Sequence, residues 1–467
     1  MFLHSQKRYG AELRETGTLP ESCQRRNYKI RTEMFRKEGK MERNNPVYQT
    51  YLDILHRELV PAMGCTEPIA IAYCAAVARS VLAAIPEKMT VEASGNIIKN
   101  VKSVVVPNTG GLRGIQAAAC IGALGGDEHA GLEVISHVSE ETKTSLKMYM
   151  EHTPVKVQPL VSDELLDLII TVYSGQDHVK VRIAGEHTHI VLIERNGEII
   201  LKADPEDAHA AETNEPDYTL LTVEGICDFA NTCELEDIQP VLDRQIACNT
   251  AIAEEGLQKE YGANIGKVLL KTGNDVRTRA KAWAAAGSDA RMNGSEKPVV
   301  ICSGSGNQGL TVSLPVIVYA RELHVEQEKL YRALLVSNLI TLHAKTGIGR
   351  LSAYCGAVSA GAGAGAGIAY LYGGDERDIA HTIVNALAIT SGIVCDGAKS
   401  SCAAKIAMAV ETGIFGYEMF RNGQQFYGGD GLVVKGVENS IAAFGRLARI
   451  GMLETDHEII RMMTESH

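Results

Sequence analysis

The chain has 467 residues, of which 45% are hydrophobic and 22% are charged, and its net charge of −11 argues against nucleic acid and anionic membranes as partners. Aromatic residues make up only 5% while glycines number 45, so we expect a core of small aliphatic side chains with closely packed backbones. The length predicts about two or three domains, and the composition suits an enzyme that acts on a small molecule.

Residues 1–40 differ from the rest of the chain in charge, with ten Lys and Arg against five Asp and Glu. This segment is polar, lacks periodicity and has no apolar stretch of the kind found in secretory signals. Met41 resembles a natural start, so residues 1–40 are interpreted as a disordered upstream extension or a misassigned start, whose deletion should leave function unchanged. A targeting or regulatory tail is the alternative.

The first regular elements are two helices on either side of a break at residues 61–68. Residues 46–60 have apolar positions at helical spacing, and residues 69–85 are apolar on most faces, which predicts a buried helix. We therefore expect residues 41–85 to form N-terminal helices that pack on the catalytic domain and carry Cys65.

From about residue 88 the apolar period changes from that of a helix to that of a strand. Residues 89–107 are interpreted as two β segments, and further short alternating runs with Gly and Asn-Gly turns continue to about residue 205. One helix, around residues 110–126, interrupts them. The sequence therefore predicts an α+β lobe with antiparallel strands over residues 86–205.

An acidic, Pro-containing link over residues 204–217 indicates a domain boundary, and the pattern beyond it is helical almost to the end. Residues 206–467 are thus predicted to form a large, mostly α-helical domain, which makes the fold class α+β. Residues 352–374 contain a long run without charge, but Ala, Gly and Ser dominate it, so a buried helix is expected rather than a membrane span. Its alternating glycines imply that another backbone passes close by.

The eleven cysteines are an odd number in a chain without a secretory signal, which argues against a disulfide framework. A reducing, cytoplasmic location fits, and there a cysteine is a buried small hydrophobe, a metal ligand or a nucleophile. The absence of a CxxC pair argues against zinc ribbons and thioredoxin-like chemistry.

Three cysteines lie at Gly-rich irregularities rather than within apolar helices. Cys355 lies in RLSAYCGAV, and Cys395 and Cys402 lie in TSGIVCDGAKSSCAAKIAM, where a loop followed by a helix places Cys402 near the helix start. Three convergent thiolates would suit an iron–sulfur cluster, because soft sulfur ligands hold iron. Their spacing is not that of a ferredoxin, so spacing alone leaves structural thiols open.

Four motifs in order, GCTEP, SGSGNQG, YCGAVSAGAGAGAG and VCDGAKSSC, resemble the L-cysteine desulfidase family, which is related to the α part of iron–sulfur L-serine dehydratases. The resemblance covers roughly residues 41–467. It implies an oxygen-sensitive [4Fe-4S] lyase that converts L-cysteine and water to pyruvate, ammonia and hydrogen sulfide without pyridoxal phosphate. It also implies that Cys355, Cys395 and Cys402 are the cluster ligands and that Cys65 is the proton acceptor.

This chemistry is physically coherent. Three protein thiolates on a four-iron cluster leave one iron open, and this Lewis acid can stabilise the leaving group of the substrate. Removal of the Cα proton requires a base, and Thr66 as N-cap would place Cys65 just ahead of a helix N-terminus, which favours a thiolate. Glu67 would oppose this thiolate unless it turns away or binds the substrate ammonium group.

Residues for substrate binding are expected in two further segments. The loop 301–309 offers backbone N–H groups before a helix and makes Asn307 a candidate for the substrate carboxylate, with a tight Gly turn as the alternative. Lys345 or Arg350 could also bind the carboxylate, although a solvated loop charge is the simpler interpretation. Weaker candidates are a second anion loop at residues 107–114 and His343 as an alternative base. The remaining cysteines of the predicted domains are interpreted as structural.

Three alternatives to the desulfidase interpretation stay open at this point. The same cluster mechanism could serve an L-serine dehydratase, or Lys399 could form the Schiff base of a pyridoxal-phosphate lyase. The chain could also be a thiol-rich metal-binding scaffold without catalysis. In each enzymatic case the expected partner is a small amino-acid substrate, and a homo-oligomer is possible.

Overall fold

A computed structural model describes the protein over most of its length. The described residues are 41–162, 164–203, 216–349 and 351–465. The expectations for residues 1–40, for Arg350 and for most of the link 204–217 lie outside them.

The described residues form a series of short strands and longer helices. The strands are β1 (Pro61–Met63), β2 (Lys88–Ala93), β3 (Val155–Pro159), β4 (Asp167–Ser174), β5 (Asp177–Ala184), β6 (Ile190–Arg195), β7 (Glu198–Lys202) and β8 (Pro298–Val300). The helices are α1 (Pro46–Glu58), α2 (Thr66–Leu82), α3 (Gly95–Val101), α4 (Gly114–Gly125), α5 (Glu140–His152), α6 (Val223–Thr232), α7 (Gln239–Gln258), α8 (Ile265–Thr272), α9 (Val276–Met292), α10 (Gly306–Glu322), α11 (Gln327–Thr346), α12 (Gly356–Leu371), α13 (Glu376–Thr390), α14 (Cys402–Arg421), α15 (Val437–Arg446) and α16 (Leu453–Glu465).

The strands from β2 to β7 form one six-stranded sheet in the order β3-β2-β4-β5-β6-β7. Strands β2 and β3 are parallel, and each of the other neighbouring pairs is antiparallel. Alternate side chains of β5, such as Val179 and Val181, are fully buried, because they share a core with α2 and α4. Together with the large helical part, this sheet confirms the α+β fold class.

The glycine-rich helix α12 lies inside the helical part, as the sequence predicts. A Cβ atom at Gly361 would lie 2.3 Å from the carbonyl oxygen of Ala409 on α14, and one at Gly363 would lie 2.1 Å from Thr341 Oγ1 on α11. The alternating glycines therefore admit two neighbouring helices at once, which confirms the expected close approach. Across the described segments, no helix has the length and apolarity that a membrane crossing requires.

Two details of the α+β lobe differ from the sequence prediction. The second β segment expected within residues 89–107 is wrong, since Gly95–Val101 forms helix α3 with Ile97 and Val101 buried one turn apart. Helix α5 was not predicted; it begins after Ser139, whose side chain accepts a hydrogen bond from the Thr142 backbone. In both cases a serine ends the preceding segment and the chain then turns into a helix.

The short strands β1 and β8 pair with each other in antiparallel register, from Pro61 opposite Val300 to Met63 opposite Pro298. This ladder joins the break before Cys65 to the segment that leads into the loop 301–309. The flanking helices contribute to different cores, because α1 packs in the core of the helical part and α2 in the core of the sheet. The β1–β8 ladder thus brings Cys65 to the boundary between the two cores.

Candidate active site

One cavity of about 110 Å³ lies at this boundary, and side chains from both cores line it. The structure brings all the residues singled out in the site prediction to its walls. They are Cys65, Glu67, Asn307, Lys345, Cys355, Cys395 and Cys402. These residues come from distant parts of the chain, so the cavity exists only in the folded protein.

Residues at four helix N-termini line this cavity. Cys65 is the N-cap of α2, Ser305 that of α10 and Cys355 that of α12, while Cys402 is the first residue of α14. The expected start of α14 at Cys402 is confirmed. The expected N-cap Thr66 is wrong by one residue, because Cys65 holds that position in extended conformation. Helix N-termini carry partial positive charge, which favours anions in the cavity.

The position of Cys65 is set by its neighbours along the chain. Gly64 has a φ of +61°, and a Cβ atom there would lie 2.4 Å from the Pro107 side chain, so only glycine fits. Thr66 Oγ1 donates a hydrogen bond to the Gly304 carbonyl at 3.2 Å, which ties this turn to the loop 301–309. The thiol of Cys65 is thereby held at the cavity wall, where it is 3% exposed.

Cys65 and Glu67 form a hydrogen-bonded pair. The Cys65 thiol donates to Glu67 Oε2 at 3.0 Å, and Asn100 Nδ2 donates to Glu67 Oε1 at 2.9 Å. Burial and the charge of Glu67 raise the pKa of the Cys65 thiol well above its ordinary value. Burial opposes ionisation of Glu67 as well, yet His187 and the hydrogen bond from Cys65 hold its pKa below the ordinary value.

In the resting cavity, burial and the charge of Glu67 therefore oppose the thiolate expected at Cys65, and its role as proton acceptor stays a prediction. The physical reason is the orientation of Glu67, which faces the thiol instead of turning away. The favourable helix N-terminus does not outweigh burial and an adjacent negative charge.

The other three thiols lie in a loop or at a helix start, and backbone hydrogen bonds connect two of these segments. The Cys395 backbone N–H donates to the Ala353 carbonyl at 2.6 Å, and the Cys355 N–H donates to the Ile393 carbonyl at 3.1 Å. Burial and the neighbouring Cys395 and Cys402 raise the pKa of Cys355 to about 12. A negative charge on one of these thiols therefore opposes the ionisation of its neighbours.

The loop that carries Cys395 and Cys402 lies against α3 of the other lobe. Gly397 has a φ of +90°, and a Cβ atom there would lie 2.3 Å from the Lys99 carbonyl oxygen. Lys405 of α14 donates to the Val394 carbonyl at 2.8 Å and pairs with Asp396, so a cation lies beside the thiols.

The donor chemistry of these thiols suits an iron–sulfur cluster. Three cysteines are the ligands that iron–sulfur clusters use, and a bound cationic centre would relieve the repulsion between thiolates. Within the segments that the structure describes, no group of three or more His, Cys, Asp or Glu side chains is arranged as a metal site. The assignment of the three ligands therefore stays a prediction.

Several polar residues of the cavity were not found by the sequence analysis. They are Asn96, Lys99, Asn100, His187, Arg291 and Lys405. Apart from Lys405, which follows Cys402 in a quoted segment, they lie outside the motifs that the sequence analysis used, so no local signal distinguishes them. Their role depends on tertiary placement alone.

Three weaker candidates do not line the cavity. His343 Nε2 lies 2.6 Å from Glu438 Oε2, and His343 is not a lining residue, so the structure does not support its role as the alternative base. Lys399 pairs with Asp396 at 2.5 Å and is likewise not among the lining residues, and neither is any residue of the loop 107–114. Asn307 lines the cavity, and its buried Oδ1 accepts no hydrogen bond from the described residues.

Comparison with known proteins places this cavity in a family context. The family described as "Serine dehydratase alpha chain" matches residues 129–461, which include the three loop cysteines but not Cys65 or Glu67.

The chain is also similar over most of its length to curated relatives. A UPF0597 protein of Desulfitobacterium hafniense is 60% identical over 91% of this chain and 98% of its own length. The corresponding protein of Lachnoclostridium phytofermentans is 51% identical over 89% of this chain and 100% of its own length. A UPF0597 protein of Treponema denticola is 46% identical over 89% of this chain and 98% of its own length.

These names state no activity, so the expected specificity for L-cysteine remains a prediction. The broader resemblance to the α part of iron–sulfur serine dehydratases is confirmed, and a dehydratase-like lyase activity follows from it. The chain belongs to the serine dehydratase alpha chain family.

Proposed function

We propose that this protein is an iron–sulfur-dependent β-eliminating lyase that converts L-cysteine and water to pyruvate, ammonia and hydrogen sulfide. The observation that carries the proposal is the shared cavity, in which three loop thiols and the Cys65–Glu67 pair line the same space. A zwitterionic amino acid suits this space, because helix N-termini and cations favour its carboxylate and Glu67 favours its ammonium group.

In this proposal Cys355, Cys395 and Cys402 hold a [4Fe-4S] cluster. The bound cluster would supply an open iron that acts as a Lewis acid toward the leaving group. Lys405 contributes a fixed positive charge beside the thiols, since Asp396 and the Val394 carbonyl hold its ammonium group in place. Asn307 on α10 and Lys345 on α11 are proposed to contact the substrate.

Glu67 is proposed to bind the substrate ammonium group and thereby to place Cα next to Cys65. The Cys65 sulfur lies 3.0 Å from Glu67 Oε2, and Cα is one bond away from the nitrogen that Glu67 would bind. An ammonium group also cancels the charge of Glu67, which is a cause of the raised pKa of Cys65. Substrate binding therefore favours the Cys65 thiolate, with its proton released to water.

The Cys65 thiolate then accepts the Cα proton as the bond from Cβ to sulfur breaks. The electron pair of that bond leaves with the sulfur as sulfide, and the carbon skeleton leaves as aminoacrylate. Aminoacrylate tautomerises and hydrolyses to pyruvate and ammonia without further help from the protein.

The decisive test is turnover of L-cysteine by protein purified without oxygen. We expect sulfide and pyruvate in equal amounts, and loss of both after iron chelation. A broad visible absorption that bleaches in air would support the cluster, whereas a sharp aldimine band would favour pyridoxal phosphate. Absence of turnover with any amino acid would favour the metal-binding scaffold.

L-Serine dehydration by the same residues is the second candidate, and the family description favours it. The two substrates differ only in the β-substituent, so the ratio of their kcat/KM values decides between them. A ratio above one for cysteine over serine supports the desulfidase, and the inverse ratio supports the dehydratase.

A further inference from the structure

Arg291 is the largest of the fully buried side chains, and it lines the cavity. It lies near the C-terminus of α9 and is 2% exposed. Its Nε–H donates no hydrogen bond to the described part of the chain, and its guanidinium group forms no ion pair there. An arginine is charged at every accessible pH, so the Arg291 guanidinium group is a buried charge without a hydrogen-bonded counterion.

Two other cations of the cavity differ from Arg291, because each has a carboxylate partner. Lys99 pairs with Asp456 at 2.5 Å, and Lys405 pairs with Asp396. The two oxygens of Glu67 accept hydrogen bonds from Cys65 and Asn100 rather than from Arg291. Arg291 lowers the pKa of Glu67 through space but forms no hydrogen bond with it.

The surroundings of Arg291 are shaped for an anion. A Cβ atom at Gly306 would lie 2.3 Å from Arg291 Nε, so glycine lets the first turn of α10 pack directly on the guanidinium group. The N-terminus of α10 and the guanidinium group therefore act on the same space. Asn307 lies in the same first turn of α10; its buried Oδ1 is an acceptor, so only its amide nitrogen could donate a hydrogen bond to an anion.

We propose that Arg291 binds the α-carboxylate of the substrate and restricts the site to amino acids with a free carboxylate. This inference rests on the proposed function, since Glu67 would bind the ammonium group and the loop thiols would face the β-substituent. A guanidinium group and a carboxylate can form two parallel hydrogen bonds, which fixes the orientation of the bound amino acid.

The test compares two ligands that carry no leaving group and differ only at the carboxylate, L-alanine and L-alaninamide. Isothermal titration of the oxygen-free, iron-loaded protein should show L-alanine binding about 10- to 100-fold more tightly than L-alaninamide, as expected for hydrogen bonds between charged groups. Arg291→Gln should abolish this preference, and Arg291→Lys should retain part of it. The control Arg279→Gln, on the same helix but paired with Glu322 at the surface, should keep the full preference.

Thermal unfolding separates this binding role from a structural one. Removal of a buried charge without a partner should leave the midpoint of the ligand-free Arg291→Met variant unchanged or higher. L-Alanine should raise the midpoint of the wild type but not that of Arg291→Gln. A lower ligand-free midpoint with the carboxylate preference intact would show that Arg291 is structural and overturn the proposal.

The two proposals fail in different ways. Carboxylate preference that depends on Arg291, without turnover of any amino acid, would leave the binding site standing and refute the proposed lyase. If the protein turns over L-cysteine and Arg291→Gln keeps the carboxylate preference, the binding role of Arg291 is refuted and the proposed lyase activity stands. A wild type that binds neither ligand, or binds both equally, would also overturn the role of Arg291.

Discussion

Two parts of the cavity lining carry thiols in different electrostatic surroundings. One wall is the Cys65–Glu67 pair, and the other consists of Cys355, Cys395 and Cys402. On one wall the Cys65 thiol donates a hydrogen bond to Glu67, whose negative charge raises the pKa of that thiol. On the other wall, burial and the neighbouring Cys395 and Cys402 also raise the pKa of Cys355, and the cation of Lys405 offsets only part of this effect.

This difference indicates why the same residue type can serve two purposes. A thiol with a carboxylate acceptor is a proton carrier, since its ionisation depends on what neutralises the carboxylate. Thiols that repel one another are stabilised by a shared cation, and a metal cluster provides one. The partner of each thiol, rather than the thiol itself, decides which role it is suited for.

The largest effect is expected from the wall of three thiols. Single replacement of Cys355, Cys395 or Cys402 by alanine should remove most iron and acid-labile sulfide and abolish turnover, because each thiol is one of three proposed ligands. Iron and sulfide analysis of protein purified without oxygen measures this. Cys248→Ala, which changes a cysteine away from the cavity, is the control; full iron content in all three variants would refute the ligand set.

Replacement of Cys65 by serine should separate iron binding from turnover. Iron content should stay at the wild-type level, while kcat falls by about 10²- to 10⁴-fold, as expected for loss of a positioned base. Exchange of the substrate Cα proton with deuterated solvent should vanish as well. Loss of iron together with activity would instead make Cys65 a fourth ligand, and normal turnover would make it a structural thiol.

Glu67→Gln should have a smaller effect on turnover and a distinct effect on pH dependence. Since the charge of Glu67 raises the pKa of Cys65, its removal should lower that pKa, so the Cys65 thiolate forms at lower pH in the variant. The rate of Cys65 alkylation by iodoacetamide, followed by mass spectrometry as a function of pH, measures the shift. KM should also rise, because the proposed ammonium site is lost.

The matched control for this variant is Glu128→Gln, which removes a carboxylate that pairs with Arg79 instead of a cavity residue. Its alkylation profile should coincide with that of the wild type. An alkylation profile of Glu67→Gln that is unchanged or moves to higher pH would contradict the role assigned to Glu67.

The smallest effect on the chemistry is expected from the ion pair of Lys99 and Asp456, both of which are buried. Asp456→Asn leaves a buried charge without its partner and should lower the free energy of unfolding by about 3–5 kcal/mol. Denaturant unfolding measures this, and turnover of the folded protein should change little. Glu458→Gln, which breaks an exposed pair on the same helix, should leave stability nearly unchanged.

Much of the fold and of the cavity lining could be predicted from the sequence. Apolar periodicity predicts the helical part and most strands, and Gly-rich breaks mark the loops that carry Cys355, Cys395 and Cys402. Helix α3 was missed, because a short segment such as GNIIKNV has too few residues to distinguish a helical period from a strand. The family comparison supports the chemistry but does not reach Cys65, so its role depends on the geometry of the cavity and on experiment.

The sequence by itself determined where the thiols lie relative to helix starts, because glycines, turns and apolar spacing act between residues that are near in the chain. Only the tertiary structure placed Glu67 beside the Cys65 thiol and brought Arg291 to the cavity. Electrostatic interactions depend on distance in space and on burial, and neither Glu67 facing a thiol nor an arginine buried without a partner leaves a local pattern. The motifs thus identify the thiols, and their neighbours in space determine the chemistry for which each is suited.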